Sequence, residues 1–387
     1  MKVLLKKRKL RFLLGLIIGI LFLSNIPIYG ATLQGANDPI SFDKDINLIH
    51  GTTTEKYLDN ELKKRNFIGT ATLIKNGHVV FQEGYGYANK DKNMKNSGKT
   101  TFQIASIQKE MTAVLLMKVA TAKKFSLDTP VSHFYPQIKD SDKISLRNLL
   151  TMTSGITSQK LPSQPMSDNQ FLNYTIQHTK IFKPQIGKMQ YQPVNFVLIV
   201  GIIQHETKMS YYKYFDKMIK KPLHLQYSYF YQQMNHYQNE QAQGYHYSQK
   251  DPYKVFNENL AGYTDQLGTG NLYMSNGDLY RTMRSFLGSQ LLTPKQTADL
   301  YSNGNTHSPY VAGFYPLSKK APQLLGNQYR GYHFHGAEYG FETVGDITKD
   351  GQTAVIFSSN SANYGAVNNY GLDLPVYKRL IDDPKIF

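Results

Sequence analysis

Ser106 and Lys109 stand three residues apart at the head of a run in which Ile107, Met111, Val114 and Leu115 recur at three- and four-residue steps. That spacing predicts a buried helix beginning at or just before the serine. The two polar side chains then share one face about one turn apart, and the unpaired amides of the first turn place partial positive charge beside the hydroxyl. The chemistry this suits is nucleophilic. A serine hydroxyl is nearly inert at neutral pH until a base takes its proton. A lysine can be that base only where burial or a neighbouring cation keeps its amine neutral. The apolar flanks of Lys109 supply the burial.

The four-residue pattern alone says little, because Ser41 to Lys44 and Ser210 to Lys213 spell it too. The first lies in a polar stretch near the N-terminus and the second in a Tyr/Lys-rich surface-type helix, so the case for Ser106 rests on its surroundings.

Those surroundings begin with a helix expected over 54–64 and a hairpin whose β-type runs, 67–74 and 78–84, meet at Asn76-Gly77, a strong short-range turn signal. After the serine helix come turns near Pro130 and Pro136, then a helix over 144–156 stopped at Gly155. Ser167-Asp168 caps a helix reaching about Lys180, and further helices are expected over 193–208 and 211–220. The segment 237–259 is polar and tyrosine-rich, and Gly268-Thr269-Gly270 leads into a helix over 276–287. Strands follow at 331–336, 341–347 and 353–358, and a helix over 376–381 closes the chain. A hairpin, a helical middle, three strands and a helix predict an α+β fold. In it the two chain ends build one antiparallel sheet, flanked by helices, around an inserted all-helical region.

A chain of 387 residues with 41% apolar content can fill one large domain or two ordinary ones. Residues 1–11 carry six cations and no acid, followed by an apolar run to Leu23, which reads as a secretory leader. Residues 1–30 are therefore a signal peptide cut after Gly30 or Ala31, or a signal anchor spanning a bilayer over 10–28. Residues 31–50 are expected to be a polar linker and 51–387 the domain. Either leader reading puts the catalytic part outside the cytoplasm. The absence of cysteine excludes a lipoprotein anchor, a disulfide framework and a thiol nucleophile. The net charge is +16, of which about +10 remains beyond the leader. An exported protein meets no nucleic acid routinely, so its polyanions are phosphate-bearing wall polymers or anionic lipid, unless the charge serves solubility alone.

In order and spacing, 67–89, 102–109, 144–156, 182–201, Lys221-Pro222-Leu223, 268–279 and 335–360 resemble the class C β-lactamase and penicillin-binding-protein-like serine hydrolases. The resemblance spans about residues 45–385. It implies a β-lactamase/transpeptidase-like fold and an acyl-serine mechanism with no cofactor and no metal. It does not choose a substrate, because the family includes β-lactamases, D-alanyl-D-alanine carboxypeptidases, D-amino-acid amidases and esterases.

By this resemblance Ser106 is the acylated nucleophile and Lys109 its helper. The family's second motif, Tyr-x-Asn, maps onto Tyr191, with Pro193 where the asparagine stands. A phenol near two cations can relay a proton to the leaving group, so Tyr191 keeps that role while the amide that would hold the substrate's acyl side chain is lost. The third motif, often His-x-Gly, maps onto His335, Gly336 and Ala337, with alanine for the last glycine. Its strand edge is expected to supply one oxyanion amide at Glu338, the Ser106 amide being the other.

Other matches are set aside. Tyr87-Ala88-Asn89 lies in the hairpin before the serine, and Tyr301-Ser302-Asn303 lacks the flanking helix. Ser167-Asp168-Asn169 reads as a helix cap, and Lys349-Asp350-Gly351 as a hairpin turn. His333 and His335 suggest a metal pair, but no third ligand stands at a matching spacing.

The departures bear on substrate. A carboxypeptidase must hold a peptide backbone and a free terminal carboxylate, and the lost asparagine and altered third motif weaken both contacts. A D-alanyl ester on teichoic acid needs neither. It offers an ammonium to Glu338 or Glu342 and a polyphosphate chain to a cationic, tyrosine-rich surface. The expected activity is a teichoic-acid D-alanyl esterase. The alternatives are a D-alanyl-D-alanine carboxypeptidase, a class C-like β-lactamase, or a non-catalytic wall-polymer-binding module. The expected partners are a D-alanylated envelope polymer, either teichoic acid or peptidoglycan stem peptide, and the anionic envelope surface.

Overall fold

Residues 41–50, expected to be linker, are pinned to the domain. Phe42 and Ile49 are buried, and Ile46–Asn47 forms a short strand, β1, paired with the hairpin that follows. Two isolated apolar residues show no period in sequence, yet they suffice to anchor the segment. The computed structural model describes residues 41–386 apart from 158–160, 247–249, 258–259, 305, 318–328 and 363–369. The leader and residues 31–40 lie outside the described residues, and residues 39–387 form one unit.

Helix α1 (Thr53–Lys64) is capped by Thr52, whose side chain accepts from the Glu55 amide. The hairpin is β2 (Gly69–Lys75) and β3 (His78–Tyr85). Its turn residues Asn76 and Gly77 take φ of 51° and 82°, the left-handed pair that matches the right-handed twist of the strands. Then come β4 (Phe102–Gln103), α2 (Gln108–Lys123), α3 (Leu146–Leu150), α4 (Asp168–His178), α5 (Val194–Thr207), α6 (Tyr211–Phe215), β5 (Ser228–Phe230), β6 (Leu272–Met274) and α7 (Asn276–Leu287). The C-terminal part is β7 (Tyr315–Pro316), β8 (Gly331–Glu338), β9 (Phe341–Thr348), β10 (Ala354–Ser359) and α8 (Asp373–Asp382).

The main sheet runs β1-β3-β2-β10-β9-β8-β7 and is antiparallel throughout. The two chain ends meet where β2 pairs with β10, Thr72 opposite Ile356. Both strands are buried on both faces, because helices cover each side. On one face Leu58 and Leu62 of α1 pack with Val376 and Leu380 of α8. The other face meets α7, whose Asn276 amide donates to the Thr70 carbonyl and the Thr72 hydroxyl at 3.0 Å. A second small sheet, β4-β6-β5, borders the helical region.

The helix expected over 144–156 stops at Leu150. Thr151 turns its hydroxyl back on the Arg147 carbonyl at 2.7 Å, a local bond that competes with helix continuation, and Met152 and Gly155 adopt positive φ. Ser167 caps α4 in a reciprocal pair with Gln170, as the cap reading predicts. Among the described residues no helix is long and apolar enough to cross a membrane.

Candidate active site

Strand β4 delivers the chain to Ser106. Its pairing with β6 holds residues 102–103, and Ala105 then takes φ 46°, a left-handed conformation that costs a non-glycine residue about 1–2 kcal/mol. The 3₁₀ turn Ala105–Ile107 follows and opens into α2. This turn aims the Ser106 side chain into a cleft of about 230 Å³ instead of into the core that receives Ile107 and Met111.

Lys109, on the first turn of α2, is 1% exposed. Its Nζ lies 2.9 Å from the Ser106 Oγ and 3.0 Å from the Thr269 carbonyl. Gly268 makes that second contact possible. It takes φ 70°, and a Cβ there would meet Val200 Cγ2 at 2.2 Å. Burial depresses the Lys109 pKa to about 7 despite the opposing pull of Glu338, so the amine is available as a base near neutral pH.

Tyr191 reaches the same point from the far side. Its loop is strapped to the segment after α3 by Gln190 N–H to the Met152 carbonyl and Gly187 N–H to the Thr153 carbonyl, both 2.8 Å. The residue is 37% exposed, but its phenol is turned inward. Desolvation there pushes its pKa up to about 12, against the lowering effect of a hydrogen bond with Ser106. The Lys109 Nζ is 5.3 Å from the ring centroid. Pro193 lines the cleft beside Gln192. The next asparagine, Asn195, is buried and committed to Ser154, the Ser154 hydroxyl donating at 2.6 Å.

Strand β8 closes the cleft, with a different face forward from the one the third motif suggests. Gly336 abuts the serine turn: a Cβ there would meet the Ile104 carbonyl oxygen at 2.2 Å and the Ser106 nitrogen at 3.1 Å. Side chains alternate along a strand, so Glu338 shares the serine side and lines the cleft, while His335 and Ala337 point away. His335 Nε2 lies 3.0 Å from Glu342 Oε1, and Glu342 is 2% exposed. This corrects two expectations. The His335 side chain does not face the serine, and Glu342 is not free to meet a substrate. Gly336 thus packs against the serine turn, and the expected strand oxyanion amide belongs to this strand edge, over 336–338.

Sequence reasoning missed Asp265. It follows the tyrosine-rich segment with no motif around it, yet it lines the same cleft as Ser106, Lys109 and Glu338. Burial, reinforced by the negative charge of Glu338, raises its pKa to about 7. Burial raises Glu338 as well, opposed by Lys109. The cleft thus holds two carboxylates whose charged forms lack a full counter-charge. The Thr269 carbonyl was equally hidden, its flanking glycines being the one signal.

Away from the cleft, His333 meets acids its sequence neighbourhood did not offer. Its Nδ1 is 3.0 Å from both Asp346 Oδ1 and Asp373 Oδ2, all three residues being buried. Their ligand atoms lie within 4.8 Å of one another, so His333 is grouped with an acid from β9 and one from α8, and not with His335, which is on Glu342. The two carboxylates overcome desolvation and raise His333 to about 9, making it a buried cation between acids that ties α8 to the sheet.

The sequence pattern of the family described as Beta-lactamase matches residues 54–374. The Bacillus subtilis (strain 168) protein PbpX is 29% identical over 315 residues, 81% of this chain and 76% of that protein. Teichoic acid D-alanine hydrolase of Staphylococcus aureus (strain MRSA252) is 30% identical over 285 residues, 72% of this chain and 70% of that protein. The crystal structure of FmtA from Staphylococcus aureus superposes with a TM-score of 0.74 at 24% identity, over 87% of this chain and 92% of that one.

Proposed function

This chain belongs to the beta-lactamase family and is a serine hydrolase, and we propose that it removes D-alanyl esters from teichoic acid outside the cytoplasm. The observation that carries this reading is the pair Asp265 and Glu338 in the serine cleft. A D-alanyl ester presents an α-ammonium and no carboxylate, so it supplies the counter-charge both acids lack. The terminal carboxylate of a D-alanyl-D-alanine peptide would instead meet two like charges. The relative named teichoic acid D-alanine hydrolase supports the same choice.

In the proposed reaction neutral Lys109 takes the Ser106 proton as Oγ bonds to the ester carbonyl carbon. The Ser106 amide and one from the strand edge 336–338 receive the developing oxyanion. The bond from carbon to the polymer oxygen breaks, Tyr191 gives its proton to that oxygen, and the Lys109 ammonium restores the phenol. Water then adds to the acyl-serine with Lys109 again as base, releasing D-alanine and regenerating Ser106. Asp265 and Glu338 hold the ammonium throughout.

The test is D-alanine release from D-alanylated lipoteichoic acid and from a muropeptide ending in D-Ala-D-Ala, with Ser106→Ala as control. Release from the first alone is expected, with none from the variant. Release from the muropeptide alone would make the protein a carboxypeptidase. Release from neither would favour the polymer-binding module.

A further inference from the structure

We infer that a lysine-lined groove beside β5 binds the phosphodiester backbone of the polymer whose esters the cleft hydrolyses, an inference that rests on the substrate reading above. The groove has a volume of about 530 Å³, and Lys213, Lys217 and Lys220 share its lining with Tyr212, Phe215 and Phe230. Among the described residues no carboxylate lies in ion-pair reach of these three lysines, whereas Lys221, also on the rim, is held by Asp216 at 2.9 Å. Lys220 is fixed in place, donating to the Ser228 carbonyl at 2.6 Å.

The lysines form a row that a chain carrying repeated anions can meet. Steps of four and three residues put Lys213, Lys217 and Lys220 on one face of the helical turn that runs from α6 into Asp216–Lys220. At α-helical rise the step from Lys213 to Lys217 is about 6 Å and that from Lys217 to Lys220 about 4.5 Å. Successive negative charges along an extended chain can meet successive ammonium groups, while the aromatic wall packs the apolar edge of the polyol between them. A neutral glycan would leave the lysines unused, and a flat membrane surface would not enter a concave groove.

The groove also leads to the serine. Strand β5 forms its floor, β6 lies beside β5, and β4, which runs into Ser106, lies beside β6. Two strand spacings make this lateral step about 10 Å. An aromatic path covers the same direction. Tyr231, immediately after β5, stacks on Tyr263 with centroids 5.3 Å apart and planes 3° apart. Tyr263 meets Tyr339 at 6.1 Å, and Tyr339 lines the Ser106 cleft. A polymer seated on the lysines can follow the half-buried Tyr231 and Tyr339, with the buried Tyr263 as the packing between them, and place a neighbouring unit's ester at the serine.

The test uses the purified full-length protein and the double variant Lys213→Glu/Lys217→Glu, both positions being exposed. The probe is poly(glycerol phosphate) carrying no D-alanine, so binding is read whether or not the esterase reading holds. Expected are binding by the native protein that weakens as salt rises, a loss of about tenfold or more in the variant, and a raised KM on D-alanylated polymer. Turnover of a small D-alanyl ester should stay within about twofold of native. Lys213→Gln/Lys217→Gln should fall between the two, as a charge effect requires. Unchanged polymer binding in the charge-reversed variant overturns the proposal. So does a variant that keeps polymer binding but loses binding to phosphatidylglycerol vesicles, which would make the groove a membrane contact. Failure to hydrolyse the small ester would count against the esterase alone.

Discussion

Lys109 Nζ stands 2.9 Å from Ser106 Oγ, and the burial that creates this contact also sets the protonation state it needs. The Lys109 pKa is lowered to about 7, far below the usual lysine value of about 10.4. On a small D-alanyl ester kcat/KM should therefore rise through about pH 7 as Lys109 loses its proton. It should fall again near pH 8, where the substrate ammonium, an α-amino group, is lost. A pH–rate profile with no acid limb near 7 would remove Lys109 as the base.

The same burial carries a stability cost with a definite sign. The folded pKa lies below the unfolded one, so the unfolded chain binds more protons between about pH 7 and 10.4, and native stability rises across that window. Lys109→Met should abolish turnover yet raise the melting temperature, most at pH 6 and least near pH 10. Thermal melts of both proteins across that range test it.

Gly336→Ala should cost more activity than its single methyl suggests. The new Cβ would meet backbone at 2.2 Å on Ile104 and 3.1 Å on Ser106, and backbone on both sides leaves the strand to move. A shift of about 1 Å at the oxyanion amide costs on the order of 10²-fold. Acylation by a fluorophosphonate should slow accordingly while the far-UV circular dichroism stays native.

Asp265→Asn should separate recognition from chemistry. If Asp265 holds the ammonium, losing its charge removes about 1.5–3 kcal/mol of binding. KM for a D-alanyl ester then rises at least about tenfold with kcat little changed. An ester of the same alcohol without the amine should show no such change, and an equal effect on both esters would mean that Asp265 only shapes the cleft.

His333→Phe should expose the cost of uncompensated acid in the core. Asp346 and Asp373 would lose the cation between them, a loss of about 3–5 kcal/mol. Burial and Asp373 already raise the Asp346 pKa to about 7. His333, raised to about 9, lends the native protein stability that is full below its unfolded value of about 6.5 and lost as pH rises through 9, so the deficit should shrink from pH 6.5 to pH 9.5. Denaturant midpoints at the two values check this, and an equal deficit at both would point to packing alone.

The parts read correctly from the chain are those set by neighbours in sequence. Asn76-Gly77 marks its hairpin because turn chemistry is local, and Ser167 marks its cap for the same reason. The helix expected after Ser145 ends early because Met152 takes a positive φ of 57°, a backbone turn that composition does not reveal. Residues 42–49 looked like linker because their anchors, Phe42 and Ile49, find partners far along the chain.

The site divides in the same way. Ser106 and Lys109 were determined by the sequence itself, since three residues on one helix is a spacing no later packing can undo. Which charges face the cleft was decided only in three dimensions. The pleat of β8 turned His335 away and Glu338 in, the β9 register gave Glu342 to His335, and the fold brought Asp265 to the serine from a segment without a motif. A strand's facing side depends on its partners, and a buried carboxylate's company depends on distant segments, so neither is written in local spacing.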